Sequence, residues 1–237
     1  MHTETLTNDF EHLYLSVREK EERVYTDAEV SKLPDIAPEH RYYNEWQIRK
    51  RSANRLICHL QKDHKPLNVL EIGCGNGWLS AKIASLPNTT VIGSDINRYE
   101  LQQARRVFKK QNLRFIYGNF TEGLFGDEKF DLIVFAASIA YFPDVNVILR
   151  TALNSLNNGG EIHLLDNHFY TPDELSAARQ RCLNYYTSMG FPEMYHRYFH
   201  HTLADISTFN YRVLLDPRSL INRLGKKEPF YWLSITK

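Results

Sequence analysis

The segment Val69-Leu70-Glu71-Ile72-Gly73-Cys74-Gly75-Asn76-Gly77-Trp78-Leu79 constrains the fold more than any other part of the chain. A β-branched, apolar run ends in an acid, meets three glycines at alternate positions and passes into an amphipathic stretch. That pattern predicts a buried strand, a tight turn and the start of a helix. Glycines there permit φ > 0 and let a ligand lie against main-chain N–H groups at a helix N-terminus, so a nucleotide-like ligand is expected. A dinucleotide fingerprint would place its third glycine at Trp78, where an indole defeats the close helix–strand packing which that glycine serves. A phosphate-binding P-loop needs a four-residue gap and a Gly-Lys-Ser/Thr ending, and the segment has neither.

Beyond the loop, strands and helices alternate. Thr90–Asp95, Leu113–Tyr117, Phe130–Ala136 and Glu161–Leu165 read as strands. Helices are expected over Trp78–Ser85, Glu100–Asn112 and Val145–Leu156, with a turn at Asn157–Gly160. Phe130–Ala136 is apolar almost throughout, as a strand buried on both faces must be. Tyr211–Leu215 and Phe230–Ile235 read as two more strands. The fold class is therefore α/β: a doubly wound, mostly parallel seven-stranded sheet with helices on both faces, and ligands at the carboxyl ends of the strands.

Ahead of the sheet, Leu6, Phe10, Leu13, Tyr14 and Val17 recur at three- and four-residue spacing, predicting an amphipathic helix that starts near Thr7 or Asn8. Thr26-Asp27-Ala28-Glu29 has the capping-box pattern, and Glu39–Gln61 reads as a longer helix. Thr171-Pro172-Asp173-Glu174 opens a helix running to about Ser188, with Pro at its first position. The expected division is a helical N-terminal extension or lid over 1–65 and a sheet domain over 66–237. Residues 170–210 form an insertion before the final two strands, and with the first helices they make a cap.

A formal net charge of +1 lacks the basic excess of a dedicated nucleic-acid binder. Cys58, Cys74 and Cys182 are an odd number with no CxxC pairing, so neither a disulfide framework nor a zinc site is indicated and a reducing cytoplasm is expected. Met1–Glu22 is too polar for a signal peptide, and the apolar run Leu132–Phe142 is shorter than the roughly 20 residues that span a bilayer, so no membrane partner is expected.

Glu71-Ile72-Gly73-Cys74-Gly75-Asn76-Gly77 is a full match to E/DxGxGxG, and it resembles the first motif of the Rossmann-like, class I S-adenosylmethionine-dependent methyltransferases. The resemblance extends in order over roughly Leu67 to Leu165. It implies S-adenosylmethionine as cofactor, held by Glu71, Gly73, Cys74, Gly75 and Gly77. Asp95 would accept from both ribose hydroxyls, and Ile96 would lie on the adenine face. Asn119 and Phe120 stand where the family usually has an Asp beside a hydrophobic residue; the amide can still accept from the adenine amino group and donate to a ring nitrogen. Phe130–Phe135 resembles the fourth-strand motif, and Ala136 closes that strand beside the cofactor.

The sulfonium already activates its methyl group, so the protein must mainly align acceptor, methyl and sulfur, and no catalytic residue is obligatory. Asp166 and His168, after the fifth strand, are expected at the acceptor rim as candidate bases. Tyr141 is expected on the pocket floor, and Tyr42, Tyr43 and Trp46 over the methionine end. Asp166-Asn167 also resembles the metal ligands of catechol-type O-methyltransferases, but Ala136 occupies the place of their further Asp. Two oxygen ligands are too few for Mg²⁺, so no metal is expected. His196, His200 and His201 lack a HExxH context and are read as solvated or packed. The expected acceptor is a small molecule. The alternatives are an RNA or protein methyltransferase, supported only by Arg49–Arg55 with Arg105, Arg106, Lys109 and Lys110, and a non-catalytic S-adenosylmethionine-binding module.

Overall fold

A computed structural model of the chain describes residues 2–62, 65–121, 123–225 and 227–237. Seven strands form one sheet: β1 (Leu67–Ile72), β2 (Thr89–Asp95), β3 (Leu113–Tyr117), β4 (Phe130–Ala136), β5 (Leu156–Asn167), β6 (Asn210–Leu215) and β7 (Tyr231–Thr236). Their spatial order is β3-β2-β1-β4-β5-β7-β6, with only β7 antiparallel to its neighbours. This is the expected doubly wound sheet, and its order reverses between β1 and β4, where such sheets open a crevice.

Alternation along each strand divides the core in two. Val69, Val91, Leu132 and Val134 face one side, packed under α3 (Tyr43–Leu60), α4 (Trp78–Ile83) and α5 (Arg98–Val107). Leu70, Ile92, Ile133 and Phe135 face the other side, under α6 (Val145–Asn154) and the 3-10 turn Ala204–Ile206. Each fully buried aliphatic or Phe side chain contributes about 1.5–3 kcal/mol, which makes these two layers the main stabilising mass of the fold.

The N-terminal segment docks on this frame by two routes. The short helix α2 (Asp27–Val30) opens with the expected capping box between Thr26 and Glu29, and its Val30 shares a core with Trp46, Ala53 and Leu56 of α3. The longer helix α1 (His2–Lys20) starts earlier than Thr7; the side chains of Leu6, Thr7 and Asn8 lie outside the described residues. Its Val17 packs instead with Tyr186 of α7 (Pro172–Met189) and with Met194 of the 3-10 turn Pro192–Arg197, Tyr141 lying against the same cluster. The region 189–210, patternless in sequence, is thus mostly turn and loop organised around aromatic rings.

Asn157–Gly160 is not a turn before β5 but part of the strand. The register jumps from Phe130 opposite Leu156 to Leu132 opposite Glu161, so the Asn-Asn-Gly-Gly run is accommodated as a bulge with Gly159 at φ 77°. Parallel pairing with β4 overrides the local turn preference.

Candidate functional site

A cavity of about 590 Å³ opens at the carboxyl ends of β1, β2 and β4. Its floor is the glycine loop. Gly73 and Cys74 both donate their main-chain N–H to Ser94 O, at 2.8 and 3.1 Å, and Gly77 N–H donates to Cys74 O at 2.9 Å. Gly73, Gly75 and Gly77 all have left-handed φ, at 74°, 52° and 77°, so the alternate glycines are a backbone requirement. Space matters as well: a Cβ on Gly73 would meet Ser138 Cβ at 2.5 Å, and one on Gly77 would meet the Phe115 ring at 2.5 Å. Ser138 closes the loop from the β4 side by donating to Ile72 O at 2.6 Å.

Three carboxylates gather at this end. Asp95 takes the Gly75 N–H at 2.7 Å on one oxygen and the Asn97 N–H at 2.8 Å on the other. Glu71 accepts from the Ser80 hydroxyl at 2.5 Å, and burial raises its carboxyl to about 8. Glu100, beside Gly75, is raised to about 7, also by burial. Carboxyls held in water-poor surroundings are stabilised by a positively charged or hydroxyl-bearing ligand. This end suits the ribose and sulfonium of S-adenosylmethionine, and the side-chain-free loop leaves a cradle for its backbone-facing atoms.

The sequence points to a cap from the first helices and residues 170–210 without assigning most of the side chains that line the cavity. Phe10, Glu11, Tyr14 and Arg18 of α1, Arg23, and Glu45, Trp46 and Arg49 of α3 all line the cavity. Arg197 and Phe199 reach it from the cap. Tyr141 meets Tyr14 edge-on, with ring centroids 5.7 Å apart, and Phe10 at 6.0 Å. Burial pushes the Tyr141 hydroxyl well above its usual range, so it stays protonated. Trp46 crosses Trp78 at 5.5 Å and 83°, which is where the indole at helix position one goes: it packs the lid to the loop.

The structure gathers most of the expected residues around this cavity. Glu71, Gly73, Cys74, Gly75, Asp95, Ile96, Asn119, Phe120, Ala136, Trp46 and Tyr141 line it. Gly77 sits one step behind, against Phe115. Tyr42 and Tyr43 are not among the lining residues; Tyr42 is taken up by Arg23, whose guanidinium lies 3.8 Å from the ring centroid.

Asp166 and His168 are not brought to the cavity either. Asp166 has φ 55°, which breaks the strand alternation and turns its carboxyl toward Ser52 on α3. Burial raises that carboxyl, and the nearby Arg49 opposes the rise. His168 packs on Phe230 at 4.7 Å and on Tyr170 at 5.7 Å.

The histidines flagged by spacing are dispersed: His201 is buried with its ring on Phe142 O, His200 lies between Tyr170 and Tyr198, and His196 is exposed beside Tyr195. Among the described residues the one group with metal-compatible spacing is His59, Glu161 and His163, within 4.8 Å, which no spacing in the sequence joins. Trp232 donates its indole N–H to His163 Nδ1 at 3.0 Å, so the His163 proton sits on Nε2 and faces Glu161, also at 3.0 Å. That tautomer occupies both ring nitrogens with protein partners. The basic helix face is likewise partnered: Arg49 pairs with Glu45, Arg51 and Arg55 with Glu228, and Arg106 with Asp27.

A family model described as "Methyltransferase domain" matches residues 63–205. The malonyl-[acyl-carrier protein] O-methyltransferase of Acetivibrio thermocellus is 28% identical over 116 residues, 48% of this chain and 41% of that protein. The sterol 24-C-methyltransferase of Debaryomyces hansenii is 24% identical over 168 residues, 66% of this chain and 44% of that protein. The chain spans less than half the length of the curated relatives it matches. Among solved structures, magnesium protoporphyrin IX methyltransferase from Synechocystis PCC 6803, with bound S-adenosylhomocysteine, superposes with TM-score 0.58 at 16% identity, covering 86% of this chain and 91% of that one. That likeness shows the fold.

Proposed function

Because this chain belongs to the class I S-adenosylmethionine-dependent methyltransferase family, we propose that it transfers a methyl group from S-adenosylmethionine to a small-molecule acceptor by in-line displacement. The observation that carries the reading is the roofed cavity: about 590 Å³, within the roughly 300–1,000 Å³ of small-molecule sites, and covered by α1, α3 and the cap. The basic residues that could have served nucleic acid are largely engaged in ion pairs.

In this reading Asp95 accepts from the ribose hydroxyls with its remaining lone pairs, since each oxygen already holds one main-chain N–H. Ile96, Asn119 and Phe120 frame the adenine, and the Gly73–Gly77 loop and Ala136 lie along the nucleoside. The cofactor, when bound, supplies a methyl carbon already activated by the sulfonium. The acceptor's electron pair forms the new bond as the carbon–sulfur bond breaks and its pair returns to sulfur. What the chain contributes is alignment and dryness: Tyr14, Tyr141, Trp46 and Phe10 exclude water over the reacting atoms. Asp166 and His168 have no part in this alignment. Three free cysteines fit a reducing, cytoplasmic setting, and no helix among the described residues is long and apolar enough to cross a membrane.

The test is calorimetry with S-adenosylhomocysteine, followed by methyl-labelled cofactor incubated with a cell extract split by size. Binding lost in Asp95→Ala and label recovered in the low-mass fraction are expected. Binding indifferent to Asp95→Ala would overturn the cofactor site. Label confined to RNA or protein would replace the acceptor class, and binding without any transfer would leave a cofactor-binding module.

A further inference from the structure

The arginines around the roof of the cavity are unequally partnered. Arg18 and Arg23 share Glu21, each at 3.4 Å, and Arg23 and Arg49 share Glu45, at 2.5 and 3.0 Å. Arg197 lines the same space and makes no ion pair among the described residues. Of the four guanidiniums that line the cavity, Arg197 alone is without a carboxylate partner among the described residues. Arg18 is further under-satisfied, because its buried Nε–H has no acceptor.

The cofactor does not bring Arg197 a net anion. Its methionyl end is a zwitterion, so the carboxylate that takes one guanidinium arrives with an ammonium. A buried guanidinium N–H without an acceptor is costly, so Arg18 Nε–H and the unpaired Arg197 offer donors to an anion that enters the cavity. The walls around them are aromatic. Phe10, Tyr14 and Tyr141 form one edge-on cluster, and Tyr141 continues edge-on to Tyr198 at 5.6 Å, the residue after Arg197.

We propose that the methyl acceptor is an acid: a small molecule with a flat apolar body seated against Phe10, Tyr14 and Tyr141, and a carboxylate or phosphate group held by Arg197 together with Arg18. Guanidinium forks recognise both acid groups through paired N–H donors, and flat rings suit an edge-on aromatic wall. This assignment rests on the methyltransferase reading and adds the chemical class of its acceptor.

Small molecules from a cell extract are divided by anion exchange into retained and unretained pools, and each is incubated with the protein and methyl-labelled S-adenosylmethionine. Label should enter from the retained pool. Arg197→Gln should reduce that transfer by about tenfold or more, Arg197→Lys should restore part of it, and S-adenosylhomocysteine affinity should hold in both variants. Phosphatase treatment of the retained pool separates a phosphate from a carboxylate source: loss of labelling identifies a phosphate, and persistence a carboxylate. Label entering from the unretained pool, or undiminished transfer by Arg197→Gln, overturns the proposal. So does a parallel loss of S-adenosylhomocysteine affinity, which would give Arg197 to the cofactor. Failure of the unaltered protein to bind S-adenosylhomocysteine at all would instead overturn the methyltransferase reading.

Discussion

Asp95 and Gly75 are joined by a 2.7 Å hydrogen bond from the glycine N–H to the carboxylate, which ties the end of β2 to the middle of the glycine loop. The acid proposed to hold the ribose therefore also shapes the loop on which the cofactor rests. Replacing it acts twice. Asp95→Ala should weaken S-adenosylhomocysteine binding about tenfold to a hundredfold by calorimetry. It should also lower stability to urea by about 1–3 kcal/mol, because the Gly75 and Asn97 N–H groups lose their acceptor. Asp95→Asn should recover more of the stability than of the affinity.

Two glycines with the same φ make a controlled comparison. Gly77 and Gly159 are both at 77°, but a Cβ would strike the Phe115 ring at 2.5 Å in the first and meet nothing within 4 Å in the second. Gly159→Ala should cost about 1–2 kcal/mol, from backbone strain alone. Gly77→Ala should cost about 3 kcal/mol or more, since the ring must also move. Equal losses in urea melts would show that the loop yields around Phe115.

Glu71 holds its proton at neutral pH, with its carboxyl raised to about 8 by burial. A cationic ligand favours the ionised form, so S-adenosylmethionine binding at pH 7 should release protons. Affinity should climb with pH until about 8, where the free protein is already ionised. Calorimetry in two buffers of different ionisation enthalpy reads the release directly. Glu71→Gln should diminish it and leave the share from Glu100, whose carboxyl lies at about 7.

Glu161 behaves in the opposite sense. Its hydrogen bond with His163, helped by Ser234, lowers its carboxyl from 4.5 to about 2. The folded state thus favours the ionised form, and that stabilisation is complete above about 4.5 and disappears as pH falls through about 2. Thermal melts between pH 5 and 2 should show a steeper loss for the natural protein than for Glu161→Gln. Identical slopes would remove Glu161 from the account of acid unfolding.

The sheet was legible because burial imposes alternation that a reader can count: Val69 and Leu70, or Leu132 and Ile133, face opposite cores in the structure as their order implies. The floor of the site was legible for a related reason, since left-handed φ at three alternate positions leaves glycine as the ready choice. Most side chains of the roof were not. The apolar stripe of α1 announces a helix without saying which edge it will cover, and Arg18 and Arg197 gain meaning only once tertiary packing sets them around one cavity. Asp166 misled for a local reason: a left-handed residue at a strand end reverses the direction that alternation assigns. The Trp232–His163–Glu161 chain spans β5 and β7, and no short pattern encodes a contact of that sequence separation.

The position of β7 bears on how such a chain is made. It lies between β5 and β6, yet it follows both in sequence. While the polypeptide is emerging, β6 has no strand to join and β5 keeps a bare edge, each offering main-chain donors and acceptors to a neighbouring molecule. Arrival of β7 closes both edges in one event, so the outer third of the sheet assembles as a unit. A nascent chain stalled before residue 231 would present two sticky borders, an opportunity for aggregation and a natural substrate for chaperones.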